Sequence, residues 1–154
     1  MYRVPWTVHT EQQTTNRHTI PPQGGLWTLG NGAIRDYRDL RVWKCGIQLV
    51  KHIYKLTDSF PSKEMFGLTS QIRRAAISIP SNIAEGQQRR GQREFARFLS
   101  IALGSLAETD TQVALSRELG YLTDQECEMV EREIGALRKM LCGLLGSLPS
   151  SLDT

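Results

Sequence analysis

From residue 37 onward apolar side chains recur at alternating spacings of three and four: Leu40, Trp43, Ile47, Val50 and Tyr54. That spacing places them on one stripe of an α-helix, and it predicts a first helix ending before Pro61. A second pattern runs through Met65, Leu68, Ile72, Ala75 or Ala76, Ile79 and Ile83. Ser62 is its expected N-cap, and Gly86 its expected stop, because glycine suits a left-handed C-terminal turn. A third follows in Phe95, Phe98, Ala102, Leu106, Thr109 and Val113 and closes at Gly120. The fourth opens on "TDQE" at 123–126, a capping box in which the threonine hydroxyl and the glutamate carboxylate satisfy orphan backbone donors. Leu122 and Cys127 are placed to staple it, and Val130, Ile134, Leu137, Leu141, Leu144 and Leu148 carry the stripe onward.

Four amphipathic segments with short Gly- or Pro-marked connections and no alternating strand pattern predict an all-α fold over 37–148. The expected form is an antiparallel, up-down-up-down four-helix bundle. Pro80 interrupts the second stripe. It has no amide hydrogen and its ring presses on the carbonyl of Ala76, a cost of about 3 kcal/mol in an unbroken helix. The second helix is therefore expected to be kinked, with Ser78, Ser81 or Asn82 bonding freed backbone groups and Asn82 to Glu85 spaced as an alternative capping box. Helix three also carries Leu99, Ile101 and Leu103 off its main stripe. A helix apolar nearly all round needs a second burying surface, which predicts a homo-oligomer.

The flanks read differently. Residues 1–36 are polar, turn-forming and aperiodic, and predict a flexible or disordered N-terminal extension in which Trp6 and Trp27 stand isolated. Residues 149–154 are expected to form a flexible C-terminus. No stretch approaches the roughly 18 apolar residues of a membrane span. Cys45, Cys127 and Cys142 are odd in number and form no C-x-x-C pair, so neither a disulfide framework nor a zinc site is expected, and a reduced, cytoplasmic setting fits.

A net charge of +3 is too mild to imply nucleic acid by itself, but its distribution is uneven. Between residues 63 and 97 seven basic residues face three acidic ones, 7 − 3 = +4. Between 118 and 133 one basic residue faces six acidic ones, 1 − 6 = −5. Arg89, Arg90, Arg93 and Arg97 cluster where the third helix begins, and they are the candidate phosphate-binding patch. Arg73 and Arg74 lie about 20 Å further along the second helix and stand apart from it. With Phe95 and Phe98 on the core stripe, few aromatics are left to stack on bases, so any binding should be mainly to the backbone.

Enzyme chemistry finds little support. There is no Glu-x-x-His pair, phosphate-cradling glycine loop or nucleophile elbow. Among the histidines only His52 falls in the bundle, with a partly buried position expected. Glu85, Glu108 and Asp110 could meet inside the bundle or at a subunit interface, where pairing with Arg73 or Arg74 is the plainer role. The chain is read as no enzyme, with no cofactor and no metal.

Four blocks carry a family resemblance: "DLRVWKCGIQLVKHIYKLT" at 39–57, "FGLTSQIRRAAISIPSNIAEG" at 66–86, "REFARFLSIALGSLAETDTQV" at 93–113 and "LGYLTDQE" at 119–126. Over 37–148 the chain resembles the small four-helix-bundle proteins first noticed as reading frames within intervening sequences of bacterial 23S ribosomal RNA genes. Arg73, Arg74, Pro80, Asn82, Glu85, Gly86 and Glu108 stand as the structural signature. The resemblance implies a ring-shaped homopentamer without known catalysis. It extends to the accessory variability determinant of diversity-generating retroelements, a basic pentamer that partners a reverse transcriptase and binds nucleic acid. The implied partners are further copies of the chain, RNA or DNA, and a reverse transcriptase where the gene is retroelement-associated, with no membrane. The chain departs from the pattern in residues 1–36 and at Gly91, where a serine or threonine cap is common. The alternative reading is a helical protein-interaction scaffold that binds no nucleic acid.

Overall fold

In the computed structural model, which describes residues 36–89 and 91–148, the four apolar patterns become four helices. They are α1 (Arg41–Thr57), α2 (Leu68–Gln88), α3 (Gln92–Glu118) and α4 (Asp124–Ser147), with short 3-10 turns at Tyr37–Asp39 and Ser62–Glu64 and no strand among the described residues. The expected N-terminal extension, Asp36 apart, and the expected flexible C-terminus lie outside the described residues.

Each helix packs on two others: α1 on α2 and α4, and α3 on α2 and α4. Contacts at rising positions on one helix meet falling positions on the next. Gly46 faces Pro80 and Thr57 meets Arg73; Ser78 meets Ser105 and Gly86 meets Phe98; Asp110 meets Arg138 and Arg117 meets Glu131. Helices make contacts in that order when the chain reverses direction at each turn. One end of the four-helix bundle therefore holds the α2–α3 turn, and the other holds the α1–α2 and α3–α4 connections.

The core is a single, mostly aliphatic cluster in which Leu49, Ile53, Ile72, Ile79, Ile83, Leu99, Leu106, Ile134, Leu137 and Leu141 are fully buried. Each such side chain contributes roughly 1.5–3 kcal/mol relative to exposure. The stripes expected for α3 and for most of α2 lie in this core, but of that expected for α1 only Leu40 does. Its buried positions are Val42, Gly46, Leu49, Ile53 and Thr57. Trp43, Ile47 and Val50 are half-buried shoulders, and Tyr54 is exposed. The bulkier stripe masked the true one because a glycine and a threonine interrupt the latter. The Thr57 hydroxyl is satisfied inside, donating to the Ile53 carbonyl at 2.7 Å and accepting from Arg73 Nε at 2.8 Å.

Three expectations for α2 are corrected. Ser62 caps nothing there: it sits in a 3-10 turn, α2 begins after Gly67, and the Glu64 carboxylate accepts from the Leu68 amide at 3.1 Å. Met65 is outside the helix and exposed. Gly86 does not stop the helix but lies inside it, where a Cβ would stand 2.5 Å from Phe98 Cβ. A glycine fits there because any side chain would collide with Phe98 and crowd Phe95 on α3.

Helix α2 passes through Pro80 unbroken. Ser81 Oγ donates to the Ile77 carbonyl at 2.8 Å, while Asn82 Nδ2 donates to the Ser78 carbonyl at 2.8 Å and to Ser78 Oγ at 2.9 Å. No capping box forms at Asn82, because Glu85 turns to Arg89 instead. Helix α3 ends in a Schellman turn: Gly120 has φ +70°, its amide donates to the Arg117 carbonyl, and the Tyr121 amide donates to that of Ser116. The capping box of α4 is complete, and Leu122 and Cys127 beside it are buried in the core. Of the off-stripe residues of α3, Leu99 is wholly inside and Leu103 packs against the core, which leaves Ile101 facing outward.

Candidate nucleic-acid interface

The α2–α3 turn gathers the arginines singled out from the sequence. Arg89 is the C-cap of α2 in extended conformation, and its Nη2 donates to Glu85 Oε1 at 2.5 Å. That bond and the Glu85 charge hold the guanidinium above its ordinary pKa. Gly91, with φ +108°, opens α3 without a side-chain cap. One turn on, Arg97 Nη1 lies 3.5 Å from Glu94 Oε2. Arg89 and Arg97 both reach over the Phe98 ring, 5.7 and 5.9 Å from its centroid, a contact worth about 0.5–1 kcal/mol at exposed sites. Arg93 is exposed and makes no ion pair among the described residues. Arg90 lies outside the described residues.

The arrangement is less positive than the run of arginines suggests. Glu85 and Glu94 stand among Arg89, Arg93 and Arg97, leaving 3 − 2 = +1 over the described residues. The Phe95 and Phe98 rings are buried, so among the described residues of this turn no aromatic face is open to a base.

Arg73 and Arg74 do not meet the carboxylates offered to them. Arg73 closes the C-terminus of α1, donating to Thr57 Oγ1, to Asp58 Oδ1 at 2.7 Å and to the Tyr54 carbonyl at 3.3 Å, with its Cζ 4.5 Å from the Tyr54 ring centroid. Cations at a helix C-terminus complement its unpaired carbonyls. Arg74 is exposed, with no hydrogen bond or ion pair among the described residues. Glu85, Glu108 and Asp110 do not converge either. Glu85 holds Arg89, Asp110 accepts from Arg138 Nη2 at 2.8 Å, and exposed Glu108 accepts from Gln112 at 3.4 Å. Among the described residues no three His, Cys, Asp or Glu side chains come together as a metal site would require.

Two features went unread in the sequence. His52 Nδ1 lies 2.7 and 2.9 Å from the two carboxylate oxygens of Glu133, tying α1 to α4; no local spacing encodes a pair 81 residues apart. An apolar groove also runs between α1 and α2, lined by Tyr37, Trp43, Ile47, Val50, Ile77 and Pro80. The Tyr37 and Trp43 rings meet edge-on at 5.3 Å along it. Its signal in the sequence is the apolar stripe of the first helix, a pattern that by itself predicts a core face.

No helix of the described residues is long and apolar enough to cross a membrane. A family model described as 23S rRNA-intervening sequence protein matches residues 38–143. No curated protein matches the chain. Among solved structures it is similar to a protein of unknown function of the S23 ribosomal protein family from Bacteroides thetaiotaomicron. The two superpose with a TM-score of 0.64 at 23% identity, over 69% of this chain and 96% of the other.

Proposed function

The chain belongs to the 23S rRNA-intervening sequence protein family, and from that premise we propose that it is a non-catalytic scaffold that works as a homo-oligomer of four-helix bundles. The groove between α1 and α2 carries this reading. Trp43, Ile47 and Val50 present large apolar side chains beside the core without entering it, and Ile77 across from them is 40% exposed. A contiguous apolar lining on a small bundle marks an interaction surface, and in a symmetric assembly another copy covers it. Five copies is the number expected from the family resemblance.

Ile77→Asp places a charge on the groove while leaving the core intact. Gel filtration with light scattering should return a multiple of the chain mass for the unaltered protein and the single-chain mass for the variant, with helical content equal in both. An unaltered protein that runs as a monomer would overturn the proposal.

RNA binding at the α2–α3 turn is the second reading, favoured by the unpaired and exposed Arg93. The surface pairs Arg89–Glu85 and Arg97–Glu94 are each worth about 0–1 kcal/mol, so phosphates can replace the glutamates at small cost. Replacing Arg89, Arg90, Arg93 and Arg97 by glutamine should abolish RNA retention and leave the oligomer intact. Loss of the oligomer, with no RNA held by either form, assigns those arginines to assembly instead. An adjacent reverse transcriptase gene with a variable repeat would support the retroelement role.

A further inference from the structure

Helix α1 has no aspartate or glutamate anywhere along Arg41–Thr57, yet it carries Arg41, Lys44, Lys51 and Lys55. With Gln48 they recur at alternating spacings of three and four, and all five are exposed. That spacing sets them on one face of the helix, turned away from the buried Val42, Gly46, Leu49, Ile53 and Thr57. At 1.5 Å per residue the stripe runs about 21 Å along the crest of α1. None of its four cations makes a hydrogen bond or ion pair among the described residues. Two of them, Arg41 and Lys44, sit in the first turn, at the positive end of the helix dipole, where a cation is unfavourable and an anion is drawn.

The charges packed beside α1 leave the face positive. Asp36 holds Arg38, Asp58 holds Arg73, Glu133 lies on His52 and Glu126 is bound in its capping box. Asp39 and Glu128 are exposed, as are Arg132 and Lys139. Taken with the stripe, these make eight cations against six carboxylates, 8 − 6 = +2. On the α3 side of α4, Arg117 meets Asp124 and Glu131, and Arg138 meets Asp110. The stripe itself contains no apolar side chain, which separates the partners it could take. A protein interface centres on buried aromatic or apolar anchors and is poor in lysine. A helix lying on a membrane presents an apolar face to the lipid, whereas that of α1 is buried in the core and turned to the α1–α2 groove. A row of cations without anchors suits a partner recognised by repeated negative charge alone. We infer that the crest of α1 binds the phosphate backbone of a nucleic-acid duplex without reading its bases. A stiff duplex presents phosphates about every 3.4 Å of axis on each strand, roughly six over the length of this straight stripe. The surface shares no residue with the α1–α2 groove or with the α2–α3 turn, so it stands whether or not RNA binds at that turn.

The test uses the full chain and a fluorescent duplex DNA read by anisotropy. The log of affinity should fall with the log of salt with a slope of roughly −3 to −4, for four cations at about 0.9 each. Lys44→Gln with Lys51→Gln should weaken binding about tenfold at low salt and make the slope shallower by about 2, with assembly mass and helical content unchanged. Lys44→Arg with Lys51→Arg should restore binding. Lys63→Gln with Arg74→Gln removes the same charge from exposed positions off the stripe and should change affinity less than twofold. A chain that holds no duplex at low salt, or equal losses in the two glutamine pairs, overturns the inference. Binding that survives in the Lys44 and Lys51 variant and is lost with the four turn arginines belongs to the turn, and overturns it as well. Competition by poly-glutamate at equal charge would assign the crest to an acidic protein instead, and a fall in assembly mass of the lysine variant would assign it to a second copy.

Discussion

At the scale of single residues, Gly86 and Thr123 show two ways in which one side chain fixes a helix. Adding a methyl group at Gly86 forces it against Phe98 Cβ and the nearby Phe95 ring. Gly86→Ala should therefore destabilise the bundle by about 1–3 kcal/mol, the cost of overpacking, despite alanine's better helix propensity; urea unfolding reads the difference. Thr123 and Glu126 satisfy each other at the start of α4, so Thr123→Ala should cost about 0.5–2 kcal/mol. The Glu126 carboxyl accepts from the Thr123 amide and hydroxyl, which holds its pKa below the ordinary carboxylate value. A depressed carboxylate contributes stability that is present above its unfolded pKa and is lost as pH falls through its folded one. The stability gap between the native chain and Thr123→Ala should accordingly narrow in acid, which unfolding curves across that pH range will show.

At the scale of elements, α1 separates what the hydrophobic pattern reveals from what it hides. The existence of all four helices, the stripe of α3, the capping box and the glycine turn at Gly120 were legible, because each depends on residues within a few positions of one another. The buried face of α1 was not. Trp43, Ile47, Val50 and Tyr54 form the bulkier stripe, whereas the face that enters the core includes Gly46 and Thr57, which no hydrophobic count favours. Leu49→Ala should then cost about 2–5 kcal/mol as a core truncation, and Tyr54→Ala well under half of that; thermal or denaturant unfolding of the pair decides which face is the core. The arginine site was legible only as a list of charges. Glu85 reaches Arg89 and Glu94 reaches Arg97 through helix geometry on the two sides of the turn, so four formal charges do not act as four free ones. If RNA binds there, the log of affinity should fall with the log of salt with a slope nearer −2 than the −3 or so that four unpaired arginines would give, at about 0.7–0.9 per phosphate neutralised.

At the scale of the whole molecule, the groove between α1 and α2 is the apolar surface proposed to face other copies. The off-stripe residues of α3 do not carry assembly, because Leu99 and Leu103 pack within the single chain. Trp43, Ile47, Val50 and Ile77 supply the proposed assembly surface. Light scattering on the gel-filtered protein and on Ile77→Asp tests assembly through this groove most directly. The unaltered chain should elute as an assembly, five-fold the 17.4 kDa chain mass if the number follows the family, and Ile77→Asp as a folded single chain. A monomeric unaltered protein, or an Ile77→Asp variant whose assembly is unchanged, would contradict it.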